Sequence, residues 1–202
     1  MTLLANHPQR SEIRERLRQN IVLRRLAAEA FEDLEGQLAI VDYKKGDVLL
    51  SQGAHEMEQY FVIDGILKRV VASPEGKEMI LRFAKEDDMD TSYAAWKLRT
   101  PAPYSIRAVT KAQVAKLPLP QWAQFLDRRP DLKEDFEYEV MFLMSEVMAH
   151  TITLHLLDAP GRVHRFVRKH SDLAERVPKK ELASYLNLSA ETLSRLKQSG
   201  KI

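Results

Sequence analysis

Residues 179–198 read KKELASYLNLSAETLSRLKQ, and their spacing decides the C-terminal part of the fold. Leu182 and Leu186 sit one helical turn apart, and Ala183 is small where two helices must approach closely. Asn187 stands at the connection, where a left-handed backbone favours glycine or asparagine. Ser189 is placed to cap a second helix, whose buried face is Leu193 and Leu196. This is the spacing of a helix-turn-helix, whose second helix enters the DNA major groove. On that helix Glu191, Ser194 and Arg195 face outward near the N-terminus. Glutamate accepts from cytosine N4, and arginine donates in a bidentate way to guanine O6 and N7. Lys179 and Lys180 open the first helix; with Ser189 and Lys197 they are the expected phosphate contacts. The alternative is a helical hairpin with a solvated charged face.

Charge supports the DNA reading. Residues 159–202 carry ten Lys/Arg against four Asp/Glu, leaving 21 against 25 for the rest of a chain of net charge +2. A basic module on a mildly acidic body points to an acidic partner, although basic faces are also common on small helical domains.

Upstream the texture differs. Short β-rich runs at 38–43, 48–50, 60–63, 66–71, 79–83, 104–109 and 113–117 alternate with turns. Gly46, Gly53, Gly65 and Gly76 punctuate them. Many short strands at this spacing predict an antiparallel sandwich or barrel. Before them, 11–34 reads as helix, with Ser11 as N-cap and Leu17, Ile21, Leu26 and Phe31 as buried stripe. After them comes a short helix over 119–126, and Pro130 then opens a long helix to about Leu157. Along it Phe136, Val140, Leu143, Val147, His150, Leu154 and Leu157 recur at alternating steps of four and three. Such a heptad seam is expected to meet a second copy of the helix. Met141, Met144, Met148 and Ile152 form a second stripe on a neighbouring face, so one stripe can bury against the β-domain while the other meets a second copy of the helix; the alternative is that both stripes are intramolecular core. Asp158-Ala-Pro-Gly161 breaks the helix, with Asp158 as a new cap.

The 202 residues suit one large or two small domains, and 45% hydrophobic with 30% charged residues excludes wholesale disorder. The absence of cysteine excludes disulfides, thiolate-bound metals and thiol catalysis. No apolar run reaches the roughly 18 residues of a membrane span, and no signal peptide is visible, so a cytoplasmic protein without membrane partners is expected.

The glycine-punctuated run Gly46…Gly53…Tyr60-Phe-Val-Ile-Asp-Gly65, followed by Gly76-Lys-Glu-Met-Ile-Leu, resembles the β-roll of the Crp/Fnr superfamily. Leu157-Asp-Ala-Pro-Gly-Arg162 is similar to the hinge after its dimerisation helix, and Glu191-Thr-Leu-Ser-Arg195 is similar to its recognition helix. The resemblance implies an α+β chain. An N-terminal helical segment (1–34) precedes a cyclic-nucleotide-binding-like jelly roll (35–126), a dimerisation helix (127–157) and a helix-turn-helix domain (158–202). It implies a homodimeric, non-enzymatic transcription regulator that binds double-stranded DNA at an inverted repeat, with half-sites of TTGA type, under control of a small-molecule effector. RNA polymerase is a further implied partner without a sequence signature here.

Three departures argue against cyclic AMP as that effector. Alignment from Gly76 puts Thr91-Ser92 and Ala102-Pro103 where the family's nucleotide binders carry Gly-Glu and Arg-Ser, the ribose and phosphate anchors. Val147-Met148 replaces the adenine-contacting Thr-Ser of the long helix. Tyr93, Trp96, Met144, Val147 and Met148 would line an apolar pocket instead; the alternative is a pocket filled by side chains that binds nothing. Without cysteine an iron–sulfur cluster is excluded; six histidines leave a haem sensor open but unsupported, and the cofactor unknown. His150 is either a polar register residue of the seam or a pH-sensitive pair across it. The chain ends at Ser199-Gly-Lys-Ile202, so most of the family's β-hairpin wing is expected to be missing.

Two other classes compete. His55, Glu58 and Gly65 partly match a cupin metal motif, but Met57 stands where a second histidine is needed, so no metal or catalytic site is assigned. Glu86-Asp-Asp-Met-Asp90 reads as a solvated turn, the alternative being a cation site. A sensor that binds a protein rather than DNA is the remaining alternative.

Overall fold

The computed structural model describes residues 2–198, apart from the side chain of Lys197. Strand β1 (Thr2–Leu3), helices α1 (Arg10–Leu17) and α2 (Ala28–Glu35), and strands β2 (Ala39–Tyr43), β3 (Val48–Leu50), β4 (Glu58–Asp64), β5 (Leu67–Ala72), β6 (Glu78–Ala84) and β7 (Met89–Thr91) come first. A short helix α3 (Tyr93–Lys97) leads to β8 (Ser105–Ala108), β9 (Ala112–Pro118) and α4 (Leu119–Asp127). The long α5 (Pro130–Leu156) precedes α6 (Ala159–Lys169), α7 (Ser171–Arg176), α8 (Lys179–Tyr185) and α9 (Ala190–Gln198). The strands form two antiparallel sheets, ordered β1-β2-β9-β4-β7 and β3-β8-β5-β6. This is the expected β-roll followed by helices.

Central strands are buried on both faces, and β4 shows why it is central: Tyr60, Phe61, Val62 and Ile63 are successive buried residues. The turn from β4 to β5 requires Gly65. Its φ is +90°, and a Cβ there would lie 2.3 Å from the Lys111 carbonyl oxygen. The principal core lies between the sheets and α4 and α5. Trp122 is fully buried there, edge-on to Phe61 at 5.4 Å and to Phe136 at 5.4 Å, and stacked on Phe125 at 5.5 Å.

The N-terminal segment differs from expectation. It is not one helix, and it is not separate: Leu4, Ile13, Leu17 and Leu23 join the principal core, and β1 extends the first sheet. Asn20 breaks the helix. Its Oδ1 accepts from the Val22 and Leu23 N–H groups, while Nδ2 donates to the Asp87 and Asp88 carbonyls. Ser11 lies inside α1, whose N-cap is Gln9.

The 86–90 run is a second correction. Met89–Thr91 forms β7 against β4, and Asp90 is fully buried. The reason is Arg69, whose Nε donates to Asp90 Oδ1 at 2.7 Å. A carboxylate with a buried guanidinium partner can leave water; one without cannot.

The third correction concerns α5. The expected dimer seam is turned into its own chain: Phe136, Val140 and Leu143 are buried in the principal core, and Val147, Leu154 and Leu157 are half-buried. His150 packs on Tyr185. The other stripe faces outward, with Met141 at 63% exposure, Met148 at 64% and Ile152 at 50%. Two adjacent heptad stripes fit the same helix, and the cavity offered by α4, β6 and α8 takes the one with Phe136.

Candidate nucleic-acid interface

Helices α8 and α9 hold the residues expected to meet DNA. Pro178 precedes α8 and ends the preceding coil in an extended conformation. Helix α8 closes with the Leu186 N–H donating to the Leu182 carbonyl, and Asn187 then adopts φ +52°. The Leu188 N–H reaches back to the Ala183 carbonyl at 2.9 Å, which closes the turn. Ser189 Oγ accepts from the Thr192 N–H at 3.0 Å and caps α9. Leu182, Ala183, Tyr185, Leu186 and Leu193 are buried, while Leu196 is partly buried.

The opposite face is open. Glu191, Ser194 and Arg195 are exposed on the first two turns of α9, and Lys179, Lys180 and Ser189 are exposed beside them. Arg195 Nη2 lies 3.4 Å from Thr192 Oγ1, one turn back. The side chain of Lys197 and the chain end at 199–202, where the shortened wing is expected, lie outside the described residues.

This unit is docked on the β-roll. A second core joins Ile66, Ile80, Phe83 and Val109 of the β-roll to Val163, Phe166, Tyr185 and Leu186. Ion pairs surround it: Lys68 Nζ to Glu181 at 2.6 Å, Lys85 Nζ to Asp172 at 2.5 Å, and Arg176 Nη2 to Glu86 at 2.6 Å. Lys169 pairs with Glu146 of α5. The bond from Lys85 holds the Asp172 carboxyl below its usual range and raises Lys85 in turn. Burial raises the Glu86 carboxyl, but its bonds from Arg176 and backbone N–H groups outweigh that and leave it lowered. At the hinge, Asp158 Oδ1 accepts from the Gly161 N–H at 2.9 Å, as expected of a cap. Sequence reasoning missed Arg162. It donates to the Leu157 carbonyl at 2.9 Å and to the Leu186 carbonyl at 3.2 Å, tying the hinge to the recognition turn.

The expected effector pocket is not assembled as proposed. Tyr93 is buried against Trp96 and edge-on to Phe136, and its hydroxyl donates to Glu137 at 3.1 Å. Burial, with that carboxylate, pushes the Tyr93 phenol up to about 12. Met144 and Met148 lie on the exposed face of α5, so the five residues close no pocket within one chain; long side chains on a solvated helix face cannot wall a cavity alone.

At the cassette positions Thr91 ends β7, Ser92 precedes α3, and Ala102-Pro103 precede β8. Arg69 fills the space between: Nη2 donates to the Thr91 carbonyl at 3.1 Å and its guanidinium lies 4.6 Å from the Tyr104 ring centre. Tyr104 donates to the same carbonyl at 2.6 Å. Burial opposes the Arg69 charge, but Asp90 prevails and raises its pKa. Asp90 lay unmarked in an acidic run, and its pairing with a basic residue 21 positions away has no local signal. Among the described residues no group of three or more His, Asp or Glu is arranged to hold a metal ion, and no helix is long and apolar enough to cross a membrane.

Comparison with known proteins agrees with this architecture. The cyclic nucleotide-binding domain family matches residues 40–129. The cAMP-activated global transcriptional regulator CRP of Salmonella typhimurium is 21% identical over 164 residues, covering 76% of this chain and 78% of that protein. The nitrogen fixation regulation protein FixK of Bradyrhizobium diazoefficiens is 24% identical over 190 residues, covering 89% and 78%. The solved c-di-GMP responsive global regulator CLP of Xanthomonas campestris shares the fold, with a TM-score of 0.71 at 17% identity, over 86% of this chain and 92% of that one. Residues 40–129 thus form a cyclic nucleotide-binding domain, and the chain as a whole is similar to these transcription regulators in sequence and fold.

Proposed function

We propose that the protein is a DNA-binding transcription regulator that works as a homodimer and answers to an effector other than cyclic AMP. The observation that carries the DNA reading is the division of α9. Its Leu193 face is buried, while Glu191, Ser194 and Arg195 stand exposed at its N-terminal end. Lys179 and Lys180 flank that end as phosphate contacts. The Glu-x-x-Ser-Arg pattern favours TTGA-type half-sites in an inverted repeat.

The homodimer reading now rests on the exposed stripe of α5. Tyr138, Met141, Met148 and Ile152 are 50% or more exposed along one helix face. A row of large apolar side chains in water favours a partner, and a second α5 offers the same row in return. The effector reading rests on the cassette. Arg69 is already paired with Asp90 and stacked by Tyr104, so it presents no free fork to a nucleotide phosphate.

Selection from a random duplex pool at two salt concentrations tests the main reading. Recovery of an inverted repeat supports a DNA-reading dimer. No enrichment at low salt, with a sensor-binding protein partner recovered instead, would overturn it.

A further inference from the structure

Arg176 ends α7, and its guanidinium is held by a carboxylate from outside the helix-turn-helix unit. Nη1 donates to Glu86 Oε2 at 2.8 Å, and Nη2 donates to Glu86 Oε1 at 2.6 Å. Two N–H groups on two oxygens are the fork that arginine also offers a phosphate. Glu86 belongs to the turn between β6 and β7 and is fixed there independently, since its Oε1 also accepts from the Gly65 N–H at 2.8 Å. The carboxylate is thus part of the β-roll, while the arginine comes from the unit beyond the hinge at Leu157–Asp158.

Arg176 stands beside the expected phosphate contacts. Two residues, Val177 and Pro178, separate it from Lys179; Val177 is buried, while Lys179 and Lys180 are exposed. The Arg176 side chain is itself 42% exposed, against 27% for Glu86, so the pair opens onto solvent. The other acids of this corner do not compete for it. Asp172 is taken by Lys85 and Glu181 by Lys68. Glu175, on the same helix, is exposed and makes no ion pair among the described residues.

A half-exposed ion pair is weakened by water and by salt. A DNA phosphate offers the same fork two charged oxygens, and its neutralisation also releases a counterion, which favours the exchange.

We infer that Glu86 occupies the place of a DNA phosphate: it holds Arg176 on the β-roll, and the arginine becomes a further backbone contact of the helix-turn-helix when that pair opens. The inference deepens the DNA reading and rests on it. Its consequence is regulatory, because Arg176 cannot serve the β-roll and DNA at once.

The test measures the affinity of the full-length protein for a specific and a scrambled duplex across a salt series. Glu86→Gln removes the charge and keeps an oxygen for the Gly65 N–H. It is expected to tighten binding to both duplexes about tenfold, the worth of one charge-assisted hydrogen bond, and to steepen the dependence of log affinity on log salt by about 0.9. In an Arg176→Gln background the same change produces neither effect. Glu175→Gln neutralises an exposed acid on the same helix and gives the effect of charge alone, without the steeper slope. An unchanged slope in Glu86→Gln, a gain that persists without Arg176, or an equal slope change in Glu175→Gln would overturn the inference while the parent chain still binds DNA. A parent chain that binds neither duplex at low salt would overturn the DNA reading itself, and this inference with it.

Discussion

The His150 imidazole lies parallel to the Tyr185 ring, with centroids 3.8 Å apart and planes 5° apart. One residue belongs to the long helix and the other to the first helix of the helix-turn-helix. The stack therefore couples the body of the protein to its recognition unit.

This stack predicts a pH dependence. Burial lowers the His150 pKa from the ordinary 6.5 to about 4, and Lys169 and His170 push the same way. The unfolded chain takes up the proton first as pH falls. The contribution is thus complete above pH 6.5 and is lost as pH falls towards 4. Urea midpoints measured across that window will show a decline that is shallower in His150→Gln. Identical profiles would place the decline elsewhere.

The two stripes of α5 predict opposite phenotypes. Leu143 is 9% exposed in the core, so Leu143→Glu buries an unpaired carboxylate and lowers the melting temperature sharply. Met148 is 64% exposed, so Met148→Glu changes monomer stability by no more than about 0.5 kcal/mol. It weakens self-association, read by sedimentation velocity. A dimer lost with Leu143→Glu but unchanged with Met148→Glu would restore the inward stripe as the seam.

Arg69 and Asp90 form a buried pair, with side chains 5% and 0% exposed. Asp90→Ala leaves a guanidinium without its counter-ion and is expected to cost about 3–5 kcal/mol in chemical denaturation. Arg69→Met with Asp90→Leu removes both charges and recovers most of that loss. Equal losses in the single and double variants would show that shape, not charge pairing, holds the cassette closed.

On the recognition surface, Arg195→Ala is expected to cost about 1–3 kcal/mol and to relax preference at one base. Lys179→Ala weakens binding to all sequences and lowers the salt slope by about one. Titrations of specific and scrambled duplexes at several salt concentrations separate the two. Equal loss on both duplexes for Arg195→Ala would remove it from base reading.

The helix-turn-helix and the turns of the β-roll were legible because their determinants are local. Asn187 at φ +52°, the Ser189 cap and Gly46 at φ +92° each satisfy a constraint set within a few residues. The Asp158 cap is of the same kind. Three features needed the folded chain. Asn20 ends a helix because its side chain bonds carbonyls 67 and 68 residues away. Asp90 is buried because Arg69 comes to it from another sheet. The inward face of α5 was chosen by what α4, β6 and α8 offered it. Periodicity marks which residues share a face, since 3.5- and 3.6-residue spacing is local geometry. Which face is buried depends on the shape and charge of distant surfaces, and neither stripe carries that information in its own residues.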